Sequence, residues 1–147
     1  MQETWGIVGA VLCLGLCAMG SVLGTGVAAS SSVGAWKKCY AQNKQAPFLL
    51  LAFVGAPITQ TLYGMILMFV MFPKAAAGYP LLGLGAFAGM AIGLSAWLQG
   101  KAGAAAADAQ GETGQGFTNY LAALGIIETV AIFMMVFTLI AVGQIKV

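Results

Sequence analysis

The chain has 147 residues, of which 61% are hydrophobic and only 7% charged, far from the charged quarter of an ordinary soluble domain. A net charge of +2 is too small to attract nucleic acid. With no histidine and no cysteine cluster, neither a transition-metal site nor a histidine-based hydrolase has the residues it needs. Composition leaves an integral membrane protein with no room for a soluble domain.

A bilayer-spanning helix needs roughly 20 predominantly apolar residues, and four stretches of that kind use almost the whole chain: about Trp5–Ala35, Pro47–Phe72, Leu81–Ala107 and Phe117–Gly143. The first follows Gln2 and Glu3, with no positive residue before it, and runs past any cleavage length. It reads as a retained helix rather than a signal peptide. Cys13 and Cys17 lie one turn apart inside it as small packing residues, while Cys39 is expected as a free thiol in a polar loop. Ser30, Ser31 and Ser32 are expected to pack and to bond backbone near the end of this helix. Lys37, Lys38 and Lys44 cluster in the first loop and Lys101 lies toward the third, whereas the connection Pro73–Pro80 carries only Lys74. The positive-inside rule then puts loops one and three in the cytoplasm, with both termini outside.

The two halves are related. Gly20, Gly24 and Gly34 are matched by Gly89, Gly93 and Gly103, a constant 69 positions further on. In the even-numbered helices Gln60 is matched by Glu128, 68 positions further on. We expect one membrane domain over 1–147, built as a duplicated helical hairpin (about 5–72 and about 81–145) whose copies keep the same orientation. Gly20, Gly24, Ala28 and Ser32 on the first helix, and Gly85, Gly89 and Gly93 on the third, recur every fourth position. Such ladders let helix backbones approach closely in lipid. With bulkier even helices outside them, they suggest a wedge suited to a ring. Two lookalikes are set aside: Gly24–Ala29 fits a loose dinucleotide fingerprint but lies inside a membrane helix, and Gly100-Lys101 lacks the rest of a phosphate-binding loop.

Glu128 is the only side chain charged at neutral pH between Phe117 and Val142. A carboxylate at that depth is costly and by default marks an ion pathway or proton relay. It lies 16 positions beyond Glu112, Gln60 lies 16 beyond Lys44, and Gln99 lies 13 before Glu112. At about 1.5 Å per residue the three share a layer roughly 20–24 Å from these reference points. Ala56, Thr59, Gln60 and Tyr63 follow i, i+3, i+4, i+7 spacing, hence one helix face. Pro57 removes a main-chain donor there and frees carbonyl oxygen. One carboxylate among neutral oxygens suits a hard monovalent cation. The competing reading makes Thr59, Gln60 and Gln99 interhelical hydrogen-bonding groups around a protonated Glu128.

The glycine-rich Gly20–Ala29, the run Pro57-Ile58-Thr59-Gln60-Thr61-Leu62-Tyr63-Gly64, Gln99-Gly100-Lys101 and Leu124-Gly125-Ile126-Ile127-Glu128 together resemble the proteolipid (the c or K subunit) of V-type rotary ATPases in its duplicated four-helix form. The resemblance covers essentially the whole chain. It implies a homo-oligomeric ring that turns in lipid against a stator subunit with an essential arginine, its cytoplasmic loops Lys37–Ala46 and Asp108–Gln115 docking a central stalk. It also implies a multi-pass protein of a bacterial inner membrane that is not an enzyme alone, ATP being handled elsewhere in the complex. In the sodium-translocating bacterial members, ion ligands come from the positions matched here by Ala56 (through its carbonyl), Thr59, Gln60, Tyr63, Gln99 and Glu128. Ala56 departs from the family's leucine, and a carbonyl ligand survives that change. The resemblance thus implies no cofactor and one transported ion per subunit, Na⁺ in preference to H⁺. A small four-helix secondary transporter using Glu128 is the alternative function, and a purely structural four-helix protein explains neither Glu128 nor the shared layer.

Overall fold

The computed structural model describes residues 2–146, all of its regular structure helical. Helix α1 (Gln2–Ala41) is followed by α2 (Leu50–Gly55), a 3-10 turn over Ala56–Ile58 and α3 (Thr59–Ala76); α4 (Leu82–Thr113) and α5 (Phe117–Gly143) complete the chain. The segment from Leu50 to Ala76 counts as one crossing, so four helical segments are long and apolar enough to span a membrane. The expected all-α membrane fold of two hairpins is therefore the observed one. The 3-10 turn falls where Pro57 cannot donate to the Phe53 carbonyl, and the main chain tightens instead of continuing an α-helix.

Several boundaries differ from the expected ones. The first helix runs on to Ala41, so Lys37, Lys38 and Cys39 are helical rather than in a loop. Cys39 is buried, with its Sγ 3.6 Å from the Gly111 carbonyl oxygen, and it remains a free thiol. The third helix likewise carries Asp108 and Glu112 on its last turns and stops only at Thr113. Lys38 joins the two extensions: its Nζ lies 2.9 Å from carboxylate oxygens of Asp108 and of Glu112, two positions that share a face of α4. Gly114 and Gly116, both at positive φ (68° and 89°), then reverse the chain in three residues, a backbone that side chains rarely adopt. Pro73 and Lys74 belong to the last turn of α3. Lys74 Nζ caps the other end of the bundle by donating to the Ile145 carbonyl, 2.6 Å away.

Lys101 lies within α4, as the expected span Leu81–Ala107 has it, but about three turns before the helix ends, because the alanine-rich stretch after it continues the helix. It is not a loop marker, and the positive-inside assignment loses that lysine.

Helices α1 and α4 form the close pair. A Cβ on Gly20 would overlap the Gly93 carbonyl, one on Gly24 the Ala96 carbonyl and one on Gly85 the Gly9 carbonyl. On Gly89 it would come within 2.7 Å of the Cys13 carbonyl oxygen, and on Gly93 it would meet Leu16. The ladders thus let two backbones touch, which concentrates dispersion contact where lipid removes the hydrophobic drive. Ser31 Oγ crosses the seam to donate to the Ala104 carbonyl at 2.6 Å, while Ser30 and Ser32 bond back to Gly26 and Ala28 on their own helix. Helix α5 is the least buried of the crossings, and bulky Phe133 and Phe137 are 61% and 66% exposed on it. In a single copy such a surface is one made for lipid or for other copies.

Two apolar clusters fill the interior. One holds Cys13, Cys17, Leu67, Met71, Ile92 and Ala131 among others, and the second, nearer the Lys38 end, is built on Leu50, Phe53, Ala107 and Leu124. A polar band lies between the two clusters, and Glu128 is in it.

Candidate functional site

The 3-10 turn and the first residues of α3 deliver Ala56, Thr59, Gln60 and Tyr63; α4 delivers Gln99; α5 delivers Glu128. The Glu128 carboxylate receives three donors. Thr59 Oγ1 and Tyr63 Oη each lie 2.7 Å from Oε1, and Gln99 Nε2 lies 3.3 Å from Oε2. Gln99 spends its second amide hydrogen on the Leu124 carbonyl at 3.0 Å. Its own carbonyl accepts from Gln60 Nε2 at 2.8 Å. Both glutamines are completely buried, so each amide's orientation is dictated by its neighbour, since an unmet amide there would carry the full desolvation cost.

That orientation turns the Gln60 oxygen toward Thr59. Thr59 Oγ1 lies 3.1 Å from Gln60 Oε1, 2.9 Å from the Ala56 carbonyl oxygen and 2.7 Å from Glu128 Oε1. A hydroxyl has one proton to give. Three acceptors therefore surround one donor, and the Ala56, Gln60, Thr59 and Glu128 oxygens form a local surplus of lone pairs. Among the described residues no three of His, Cys, Asp and Glu converge, so any cation held here rests on one carboxylate and neutral oxygens.

Glu128 is half-buried, and its carboxylate is turned toward α3 and α4, while Ile126 and Val130, two residues to either side, are exposed on the opposite side of α5. All six residues singled out from the sequence meet in this one band. Two groups were missed. Ser95 Oγ donates to the Ile127 carbonyl at 2.9 Å and ties α4 to α5 immediately before the acid. It lies one turn before Gln99 and hence on the same face, a spacing that was available to find it. The Leu124 carbonyl was not legible, because main-chain acceptors leave no mark in side-chain patterns.

Residues 82–141 match the family model of the ATP synthase C subunit. That part of the chain is similar to this rotor protein. The match takes in α4 and most of α5, and with them Ser95, Gln99 and Glu128. The first hairpin, which brings Thr59, Gln60 and Tyr63, lies outside the matched residues. Four crossings arranged as two hairpins fit a duplicated form of such a protein. A comparison with curated proteins finds no match.

Proposed function

We propose that this chain is the ion-carrying rotor subunit of a V-type rotary ATPase, assembled as a homo-oligomeric ring and moving one Na⁺ per subunit on Glu128. The similarity of residues 82–141 to the ATP synthase C subunit supports the rotor reading. The observation that carries the choice of ion is the lone-pair surplus around Thr59 Oγ1. A proton on Glu128 would supply one more donor to that cluster. A hard monovalent cation would instead engage several oxygens at once, which is what such an ion requires. Gln99 and Tyr63 would hold the carboxylate in place while Ala56, Thr59 and Gln60 contribute oxygen.

In this mechanism the ion enters from one side at the junction between ring and stator and neutralises Glu128. The loaded, neutral site then turns through the lipid-facing arc at a cost far below that of a bare carboxylate. An arginine of the stator, permanently charged, displaces the ion on return. ATP chemistry belongs to other subunits. The ring would sit in a bacterial inner membrane with the Lys38–Glu112 end in the cytoplasm. There the turns after Ala41 and Thr113, smaller than the loops expected from sequence, would meet the central stalk.

Carbodiimide labelling of Glu128 in the purified oligomer tests the ion. Millimolar Na⁺ is expected to protect the carboxylate. Thr59→Ala and Gln60→Ala are each expected to raise the protecting Na⁺ concentration about tenfold, the equivalent of one lost polar contact. Protection that follows pH alone and ignores Na⁺ would assign the site to protons. Unchanged Na⁺ protection in both variants would reduce Thr59 and Gln60 to packing groups.

A further inference from the structure

Ser95 stands at the edge of the carboxylate band without touching the carboxylate. It is buried on α4, and its hydroxyl donates to the Ile127 carbonyl of α5 at 2.9 Å. One turn further along the same face, Gln99 donates to the Leu124 carbonyl at 3.0 Å. Two side chains of α4 thus hold the main chain of α5 at successive rungs, and the rungs bracket Gly125 and Ile126. Both bonds end on backbone oxygen, so neither depends on the charge of Glu128.

The bracketed segment is the weak point of α5. Glycine in a helix interior costs stability relative to alanine. Gly125 has no packing reason within the subunit to be there, since a Cβ on it would meet nothing within 4 Å. Packing does not hold the segment either. An apolar groove of about 410 Å³ lies between α4 and α5 beside Ser95, lined also by Ala91, Leu94, Leu98, Ile126 and Val130. Lipid supplies no hydrophobic drive to close it. Among the described residues, no side-chain hydrogen bond joins α4 to α5 on the far side of Ser95 from Gln99. Ser95 is therefore the last tie on the least buried of the crossings.

We propose that Ser95 is a positioning residue for the ion: its bond to the Ile127 carbonyl fixes the Gly125 segment of α5, so that the Glu128 carboxylate returns to Thr59, Tyr63 and Gln99 after each release. The inference rests on the reading of Glu128 as the ion carrier. In that reading the carboxylate leaves its three donors, now at 2.7 and 3.3 Å, whenever the stator arginine displaces the ion. The Ser95 bond and the Gln99 bond to Leu124 survive the exchange, because they do not involve the carboxylate. Without Ser95 the main chain of α5 would be held near the acid by Gln99 alone, and a single rung lets the helix turn about it. Only the fraction of subunits with the carboxylate in line would then accept an ion, and the apparent affinity falls by that fraction.

The test uses the purified full-length oligomer and two measurements: Na⁺ protection of Glu128 against a carbodiimide, and hydrogen exchange of the amides from Gly125 to Ala131. Ser95→Ala should raise the half-protecting Na⁺ concentration about fivefold and speed exchange in that segment by a similar factor. Ser95→Cys keeps the size of the side chain but is a weak donor, and it should give most of the same loss. Ser95→Thr keeps the hydroxyl and has the groove beside it for its methyl, so it should behave as wild type. Ser31→Ala is the control. It removes a bond of the same kind, 2.6 Å to the Ala104 carbonyl, outside the band, and should lower the unfolding midpoint without moving the Na⁺ concentration. Wild-type protection and exchange in both Ser95→Ala and Ser95→Cys would overturn the proposal. So would an equal rise in Ser31→Ala, which would make the effect one of general stability. Should Ser95→Ala fail to assemble, Ser95→Cys carries both measurements. If wild type shows no Na⁺ protection, the choice of Na⁺ fails, and exchange still decides the role of Ser95: unchanged exchange in its variants overturns it.

Discussion

Glu128→Gln is expected to abolish ion translocation by the assembled complex while leaving the ring intact. The glutamine keeps the carboxylate's shape, and its oxygen still accepts from Thr59 and Tyr63, which now lie 2.7 Å away. What it loses is the charge. An ion in the altered site would keep its full charge during passage through lipid, a penalty of about 3 kcal/mol on insertion scales, or roughly two orders of magnitude in rate. Its new amide nitrogen also faces Gln99 Nε2, where the native oxygen accepts at 3.3 Å, and this donor–donor contact weakens the band locally. Assembly survives because the α1–α4 seam, which does not involve Glu128, holds the subunit together. The measurement is Na⁺ flux into vesicles containing the complex, with gel mobility of the ring as the control. Wild-type flux in the variant would remove Glu128 from the pathway. Loss of flux together with loss of the ring would make it a structural residue.

Thr59, Gln60 and Tyr63 were legible as one face because helical spacing is a local property, unaffected by where the helix begins. Depth is less legible: counting from Lys44 takes residues 44–49 as helical, although α2 begins only at Leu50, and Glu112, the other reference point, is itself inside α4. The layer nevertheless forms, because a hairpin's short turn forces its two helices to start level whatever residue is used as origin. Cys39 is expected in a loop because Lys37 and Lys38 read as the end of a span, but a helix ends where its main chain finds a cap or a glycine, as at Gly114. The Lys38 contacts to Asp108 and Glu112 were hidden altogether, since residues so distant in sequence meet only through the packing of α1 on α4. The six-residue constellation was readable from polar side chains in apolar runs. The direction of each hydrogen bond, and hence the surplus of acceptors around Thr59, required the buried amides to be placed.

Gly20→Ala provides the sharpest test of the seam, because a glycine-to-alanine change has opposite signs in two places on the same helix. In an exposed helix interior alanine is the better helix former by about 1 kcal/mol. Gly15 is exposed, and a Cβ there meets nothing within 4 Å, so Gly15→Ala should leave the unfolding midpoint in detergent unchanged or raise it. At Gly20 the added methyl would overlap the Gly93 carbonyl, which is main chain and has no rotamer to yield. The helices must separate along a contact that also includes the Gly9–Gly85 and Gly24–Gly100 approaches. Overpacking that side chains can absorb costs about 1–3 kcal/mol. Here the rigid backbone pushes the expected loss to ~3 kcal/mol or more, enough to lower the unfolding midpoint sharply. A ring built from such subunits would be lost with it, since α1 and α4 would no longer present their faces at a fixed spacing. Equal midpoints for Gly20→Ala and Gly15→Ala would mean that the seam tolerates separation and that the glycine ladders do not set the fold. A lowered midpoint for Gly20→Ala alone would show that the backbone contact of α1 with α4 fixes where Gln99 stands, and through Gln99 the orientation of Gln60 and of the Glu128 carboxylate.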